Sequence, residues 1–266
     1  MRIGNMLVLL VVSLMAGMGQ LFGQDSTAVA RQFMEICNQF QHSPLQATVG
    51  ITSSTNYFTG PSDTAHATME MAIDGNRAYL RMGPIEQLSD DSVLLLVNHA
   101  SRQMTLYPNK GATKQQVYMK GITWQDSSVQ KFMATYTAEQ SGQGSIVVGS
   151  RNLVKGTAYP TESMAVRFDQ KKREPQELVQ VKRKWVAVDS ATYGKLSGIQ
   201  EWEGKLKAVP PAIFYALKEQ KVVYAYKVGH KTGVVTAAIG QRVQKDATGN
   251  FTPCKGYEGF RVVSKL

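Results

Sequence analysis

The sequence predicts an α+β protein: a curved antiparallel sheet with helices packed on one side of it. Two stretches with helical spacing bracket a series of short alternating segments. Tight turn signals join those segments, the clearest being Asp74-Gly75 inside "MEMAIDGNRAYLRMG" (69–83). A length of 266 residues, 43% hydrophobic and 19% charged, is enough to bury a sizeable core and argues against disorder.

The N-terminus stands apart from this pattern. Arg2 precedes the uncharged run "MLVLLVVSLMAGMG", small residues follow, and then the polar "QDST". That layout predicts a secretory signal peptide over residues 1–23, with cleavage near Gly19 or Gly23. A spanning helix wants about 20 apolar residues, and Gly17, Gly19 and Gln20 cut this run short. The mature chain, 24–266, is expected to be exported, periplasmic and a single domain.

"DSTAVARQFMEICNQF" (25–40) opens on Asp25 and Ser26 as helix caps, and Val29, Phe33, Ile36, Cys37 and Phe40 form one apolar stripe. Pro44 ends it. Residues 46–108 then read as a meander of about five strands: "QATVGITSSTNYF", "HATMEMAI", "RAYLRM", "EQLSDDSVLLLVNHA" and "RQMTLYP". A second helix is expected over 125–140, with Val129, Phe132, Met133 and Tyr136 on its stripe and "SGQGS" as a break after it. "SIVVGS", "MAVRFDQ" and "QELVQVKRKWVAV" predict further strands, and "KVVYAYKVG" with "VVTAAIGQRVQKD" predicts another ribbon over 221–246.

The charge is uneven. Residues 25–159 hold ten Lys+Arg against ten Asp+Glu, whereas 160–266 hold nineteen against ten. A basic half favours anionic head groups or an acidic protein face, and is otherwise a solvated surface. Nucleic acid is not an expected partner, because no interleaved aromatic and basic recognition motif is present. In an oxidising compartment Cys37 and Cys254 form a candidate disulfide; the alternative is two unrelated small hydrophobes.

Catalytic chemistry finds no anchor. His42, His66, His99 and His230 are scattered outside any zinc-type spacing, and no G-x-S-x-G elbow exists. "GQGSIV" (142–147) puts Val147 where a dinucleotide fingerprint needs glycine. Asp90-Asp91 reads as a turn, and Glu201 and Glu203 around Trp202 come from one short segment. The chain is expected to be non-enzymatic, with no cofactor and no metal.

Methionine offers a different reading. Met69, Met71, Met82 and Met104 lie in the meander, with Met34 and Met133 in the helices. Unbranched, polarisable side chains suit a surface that accepts variable apolar shapes, although they also fill ordinary cores. The candidate lining of an apolar cavity is Met69, Met71, Ile73, Leu80, Met82, Leu94, Leu96, Met104 and Leu106.

The helix at 25–40, "ATMEMAIDGNRAYLRM", "EQLSDDSVLLLVNHASRQMTLYP", the helix at 126–140 and "MAVRFDQKKREPQEL" occur in an order that resembles the outer-membrane lipoprotein carrier (LolA/LolB-like) superfamily. The resemblance covers about residues 25–185, and the basic part from about 186 goes beyond it. It implies an eleven-strand-type half-open β-barrel with helices on its concave side and a cavity for acyl chains. A lipid or lipidated protein is then the expected partner. The alternative function is a structural or assembly factor of the cell envelope, docking a protein through the basic C-terminal half at Lys182, Arg183 and Lys184.

Overall fold

The structure is a computed structural model, and it describes residues 26–38, 45–74, 77–109, 129–229 and 238–266. The expected signal peptide, Pro44, His42 and His230 lie outside the described residues. No helix among the described residues is long and apolar enough to cross a membrane.

Helix α1 (Ser26–Asn38) buries Val29, Ala30, Phe33, Met34, Ile36 and Cys37, the stripe that its spacing predicts. The meander resolves into six strands: β1 (Leu45–Thr55), β2 (Ala65–Asp74), β3 (Arg77–Met82), β4 (Ile85–Ser89), β5 (Val93–Asn98) and β6 (Gln103–Pro108). "EQLSDDSVLLLVNHA" divides at Asp90, whose Oδ1 accepts hydrogen bonds from the backbone N–H groups of Ser92 at 2.9 Å and Val93 at 2.8 Å. Asp90 is therefore a turn former.

The second helix ends sooner than its spacing predicts, and residues 125–128 of the expected span lie outside the described residues. α2 covers Val129–Thr135, and Tyr136–Gly142 form strand β7. Tyr136 and Ala138 pair with Ser150 and Val148 of β8 (Ser145–Ser150), so a sheet neighbour captures the second half of the stripe. Between these strands, "GQGSIV" makes a hairpin and not a nucleotide loop. Gly144 sits there at φ +72°, where a Cβ would meet the Phe168 carbonyl oxygen at 2.7 Å.

Strands β9 (Glu162–Phe168) and β10 (Pro175–Val188) follow as expected, and a third helix, α3 (Ser190–Ser197), is capped by Asp189. β11 (Leu206–Val209) turns into the long β12 (Ile213–Gly229). Of the ribbon expected over 221–246, residues 230–237 lie outside the described residues; 221–229 belong to β12, which pairs with β1 and β10. β13 (Val243–Lys245) pairs with β14 (Phe251–Pro253), and β15 (Arg261–Ser264) closes the described chain.

The described residues build a thirteen-stranded sheet in the order β15-β6-β5-β4-β3-β2-β1-β12-β10-β9-β8-β7, with β11 attached to β12. β15 runs parallel to β6, and the other pairings are antiparallel. The path starts at β15 and stops at β7, so the sheet is open.

Antiparallel partners point to the same side of a sheet, so the register sorts residues into two faces. α1 and α2 lie on one face, over β7 to β10. Phe33, Ile36, Ile146, Val148 and Val166 are fully buried there, and Phe33 stacks on Phe132 at 5.8 Å. Beneath these helices the described side chains form one buried apolar cluster. On the opposite face, residues 239–262 cover β4 to β6, with Val243, Phe251, Tyr257 and Phe260 packing on Leu88, Leu95, Val97, Met104 and Leu106.

Candidate functional site

The helix-bearing face continues past the helices across β12 and β1 to β6. Tyr224 and Tyr226 of β12 belong to both the helix-covered cluster and the next one, built on Ala47, Val49 and Met71. They join the two into one apolar floor. Burial pushes the phenols of both tyrosines above their ordinary value, as expected of rings held against aliphatic neighbours.

From there, register aligns side chains in rows across the strands. One row runs Tyr226, Val49, Met69, Met82, Ile85, Asn98, Gln103. The next runs Val228, Ala47, Met71, Leu80, Gln87, Leu96, Thr105. With strands 4.7–4.9 Å apart, the seven strands from β12 to β6 make each row about 29 Å long, and β15 continues them with Arg261 and Val263. The second row is closed over its middle, where Met71, Leu80 and Gln87 are buried. The first is open: Met69 and Ile85 are half-buried and Met82 is 41% exposed.

Of the nine expected lining residues, register puts Met69, Met71, Ile73, Leu80, Met82, Leu94 and Leu96 on this face. Met104 and Leu106 are a correction. They pair with Val97 and Leu95, so the two-residue alternation aims them the other way, and both are fully buried under the C-terminal segment.

The first row changes character along its length. It is aromatic and aliphatic from Tyr226 to Ile85, then becomes amide at Asn98 and Gln103, beyond which Arg261 of β15 pairs with Gln103. Around that change lies a cavity of about 300 Å³ lined by Ile85, Leu96, Val97, Asn98, Ser101, Gln103 and Thr105. The Asn98 side-chain oxygen accepts from the Ser101 N–H at 3.1 Å, and the Gln103 side-chain nitrogen donates to the Thr105 hydroxyl at 3.3 Å. Beside it in the closed row, Gln87 is 5% exposed and its side-chain oxygen has no hydrogen-bond partner.

Sequence reasoning missed Ile85, Gln87, Asn98 and Gln103 as site residues. Gln87, Asn98 and Gln103 sat in segments read as strand and Ile85 just before one, but which methionine each would oppose depends on the turn lengths at 83–84 and 99–102.

The other sequence candidates are dispersed. Cys37 and Cys254 are free thiols. Cys37 belongs to the cluster beneath α1, whereas the Cys254 thiol donates to the Gly240 carbonyl at 3.3 Å in the C-terminal segment over the other face. The expected bridge is absent because the sheet lies between the two segments. Lys182 and Lys184 share one face of β10, and Arg183 turns to the other, where it meets Glu219 at 2.8 Å. The expected basic triad is thus divided by strand alternation. Glu201 and Glu203 are exposed. No group of three His, Cys, Asp or Glu among the described residues could hold a metal ion.

No family model matches the sequence, and no curated protein matches it. Among solved structures, the chain is similar to a LolA superfamily protein from Nitrosomonas europaea. Identity is 11% over 79% of this chain and 95% of that one, with a TM-score of 0.29. It is also similar to a candidate outer membrane lipoprotein-sorting protein domain from Vibrio parahaemolyticus, at 8% identity over 78% of this chain and 95% of that one, with a TM-score of 0.27. Both likenesses are too distant to carry any residue's role across.

Proposed function

We propose that this chain is an exported, non-enzymatic carrier-like protein that shelters an acyl chain, of a lipid or a lipidated protein, along the open row from Tyr226 to Ile85. One observation carries the reading. Met69, Met82 and Ile85 fall in register on the face that bears the helices, at the part of it where an apolar row stays open to solvent. Covering apolar surface contributes about 25 cal/mol per Å², or about 0.8 kcal/mol for each CH₂. Methionines adapt their shape to such a chain at little cost in strain. Export to the periplasm fits the layout of residues 1–23.

The test is native mass spectrometry, with lipid extraction, of protein purified gently from cells that make membranes. The reading requires an adduct of acyl-lipid mass that is lost in Met82→Asp. A clean unliganded mass for the parent protein overturns it.

The buried apolar cluster beneath α1 and α2 supports a second reading, a docking scaffold of the cell envelope. Charge reversal at Lys182 and Lys184, both exposed on one face of β10, would then release a protein partner while no lipid is found.

A further inference from the structure

We infer that the ligand of this site is an anionic amphiphile: an acyl chain laid over the open row, with a carboxylate or phosphate head at Arg261 on the β15 edge of the sheet. The inference rests on the carrier reading and adds the charge of the head and the direction of the chain.

The direction follows from the row. Its apolar part runs through Met69 and Met82 to Ile85, its amide part is Asn98 and Gln103, and Arg261 of the parallel strand β15 stands in register beside Gln103. Val262 packs with Met104 on the opposite face, so alternation turns Arg261 toward the row. The Arg261 N–H donates to the Arg102 carbonyl at 2.9 Å, which ties this end of β15 to the turn between β5 and β6. Polarity thus rises in one sense along the row, from thioether to aliphatic, amide and guanidinium. Five strand spacings, about 24 Å, separate Met69 from Arg261. The cavity of about 300 Å³ lined by Ile85, Asn98, Ser101 and Gln103 lies between them.

The charge follows from what shares this face. Register puts Arg261 on it, and no Asp or Glu of β3 to β6 or β15. Glu86 faces the other way and meets Arg242 there. Glu258, three residues before Arg261, folds back to accept from the Gly256 N–H at 2.8 Å. Among the described residues, no carboxylate pairs with Arg261. Its guanidinium presents a fork of N–H donors that matches a carboxylate or a phosphate. Asn98 adds a second donor, because its side-chain oxygen is taken by the Ser101 N–H at 3.1 Å and its N–H₂ is left to donate.

Exposure removes the cost that would exclude an ion. Ser101, Gln103 and Arg261 are exposed, so a head held there keeps part of its water while the chain is covered over Met82 and Ile85. Ion pairs in so wet a setting contribute modestly, about fivefold in affinity at low ionic strength. The chain supplies most of the affinity, and the head sets its direction. Lys265 is the other cation at this edge, but its ammonium stands over the Tyr107 ring at 4.9 Å, two rows away.

The test compares three probes of one chain length, myristate, myristoyl lysophosphatidate and monomyristoylglycerol, each below its aggregation threshold, at low ionic strength and at a pH well above the carboxyl pKa of about 4. Calorimetry should give at least one anion an affinity about fivefold above monomyristoylglycerol, and the tighter anion names the head. Arg261→Gln should erase that preference and leave the monomyristoylglycerol affinity unchanged. Lys265→Gln, which removes the same charge from the same edge, should keep the preference. Myristate with a photoreactive group at its chain end should label β2 or β3 of the parent protein. Monomyristoylglycerol binding as tightly as both anions overturns the anionic head and leaves the acyl reading standing. Equal loss of preference in the two variants does the same, by tracing it to the net charge of +10. Chain-end labelling elsewhere overturns the direction. Failure of all three probes to bind overturns both the head and the acyl reading.

Discussion

The Lys218 ammonium lies 2.5 Å from the Asp63 carboxylate, joining residues 155 apart in sequence, with each side chain only 6% exposed. Asp63 belongs to the crossover between β1 and β2, and Lys218 to β12 on the other side of β1. The pair therefore clamps three adjacent strands. Asp63 also accepts from the N–H groups of Thr59 at 2.5 Å and Gly60 at 3.1 Å, and Lys218 also donates to the Thr59 hydroxyl. These partners, the Lys218 ammonium first, hold its carboxyl well below the usual carboxylate range. A depressed folded pKa contributes stability that is present above the unfolded value of about 3.9 and is lost as pH falls through the folded one. Asp63→Asn should lower the melting temperature at neutral pH and flatten the acid limb of stability against pH. Lys218→Met, which strands the carboxylate, should be at least as damaging. The double variant should be less destabilised than the two losses added, because each single change leaves a buried partner alone. Additive losses would show the pair to be uncoupled.

How this clamp forms shows what the sequence could and could not reveal. Alternation made β2 and β3 legible from Met69 to Met82, because the hairpin period is local. Helical spacing likewise made α1 legible at Val29, Phe33 and Ile36. Tyr136 was misassigned because its spacing fits a helix equally well, and only pairing with Ser150 makes it a strand residue. The site was half legible for the same reason. Period two places Met69 and Met71 together, but the relation of Leu96 to Met104 turns on the four residues between β5 and β6. A shift of one residue there exchanges the faces.

Cys37 supplies a basic-limb prediction. Burial beneath α1 pushes its thiol up from 9.0 to about 12. A raised folded pKa contributes stability fully present below the unfolded value of 9.0 and lost as pH rises toward 12. Cys37→Val should remove this loss and leave a flatter basic limb. In the native protein at neutral pH a thiol reagent should label Cys254 alone, and both cysteines once the protein is denatured. Finding no free thiol after denaturation would establish a disulfide and refute this arrangement.

The C-terminal segment is fastened at Glu86. Arg242 lies 3.5 Å from its carboxylate, and the Tyr257 hydroxyl donates to the same carboxylate at 3.4 Å. His99 lies 3.4 Å away but outside hydrogen-bonding geometry, its ring packed against Tyr257 and Phe260. Removing one partner of a buried ion pair costs about 3–5 kcal/mol, and these long distances place Glu86→Gln near the lower figure. Hydrogen exchange should quicken in β13, β14 and β15 while β7 to β10 stay protected. Uniform acceleration across the sheet would mean that the segment is not a separable layer.

Met82 and Met104 are two methionines of one meander that should answer oppositely to substitution. Met82 is 41% exposed on the open row, so Met82→Asp removes little packing and should change stability by no more than about 0.5 kcal/mol. It places a charge in the middle of the apolar lane, and acyl-probe binding should fall about tenfold or more. Met104 is fully buried among Leu95, Val97 and Val243 on the opposite face. Met104→Ala should cost about 2–5 kcal/mol through the cavity it leaves. Once the temperature is lowered enough for the variant to be fully folded, its probe affinity should match the parent's, because no atom of the lane has moved. Titration of one probe against both variants, with unfolding curves alongside, separates the two effects. Loss of binding in Met104→Ala while it remains folded, or retention of binding in Met82→Asp, would place the ligand on the wrong face of the sheet.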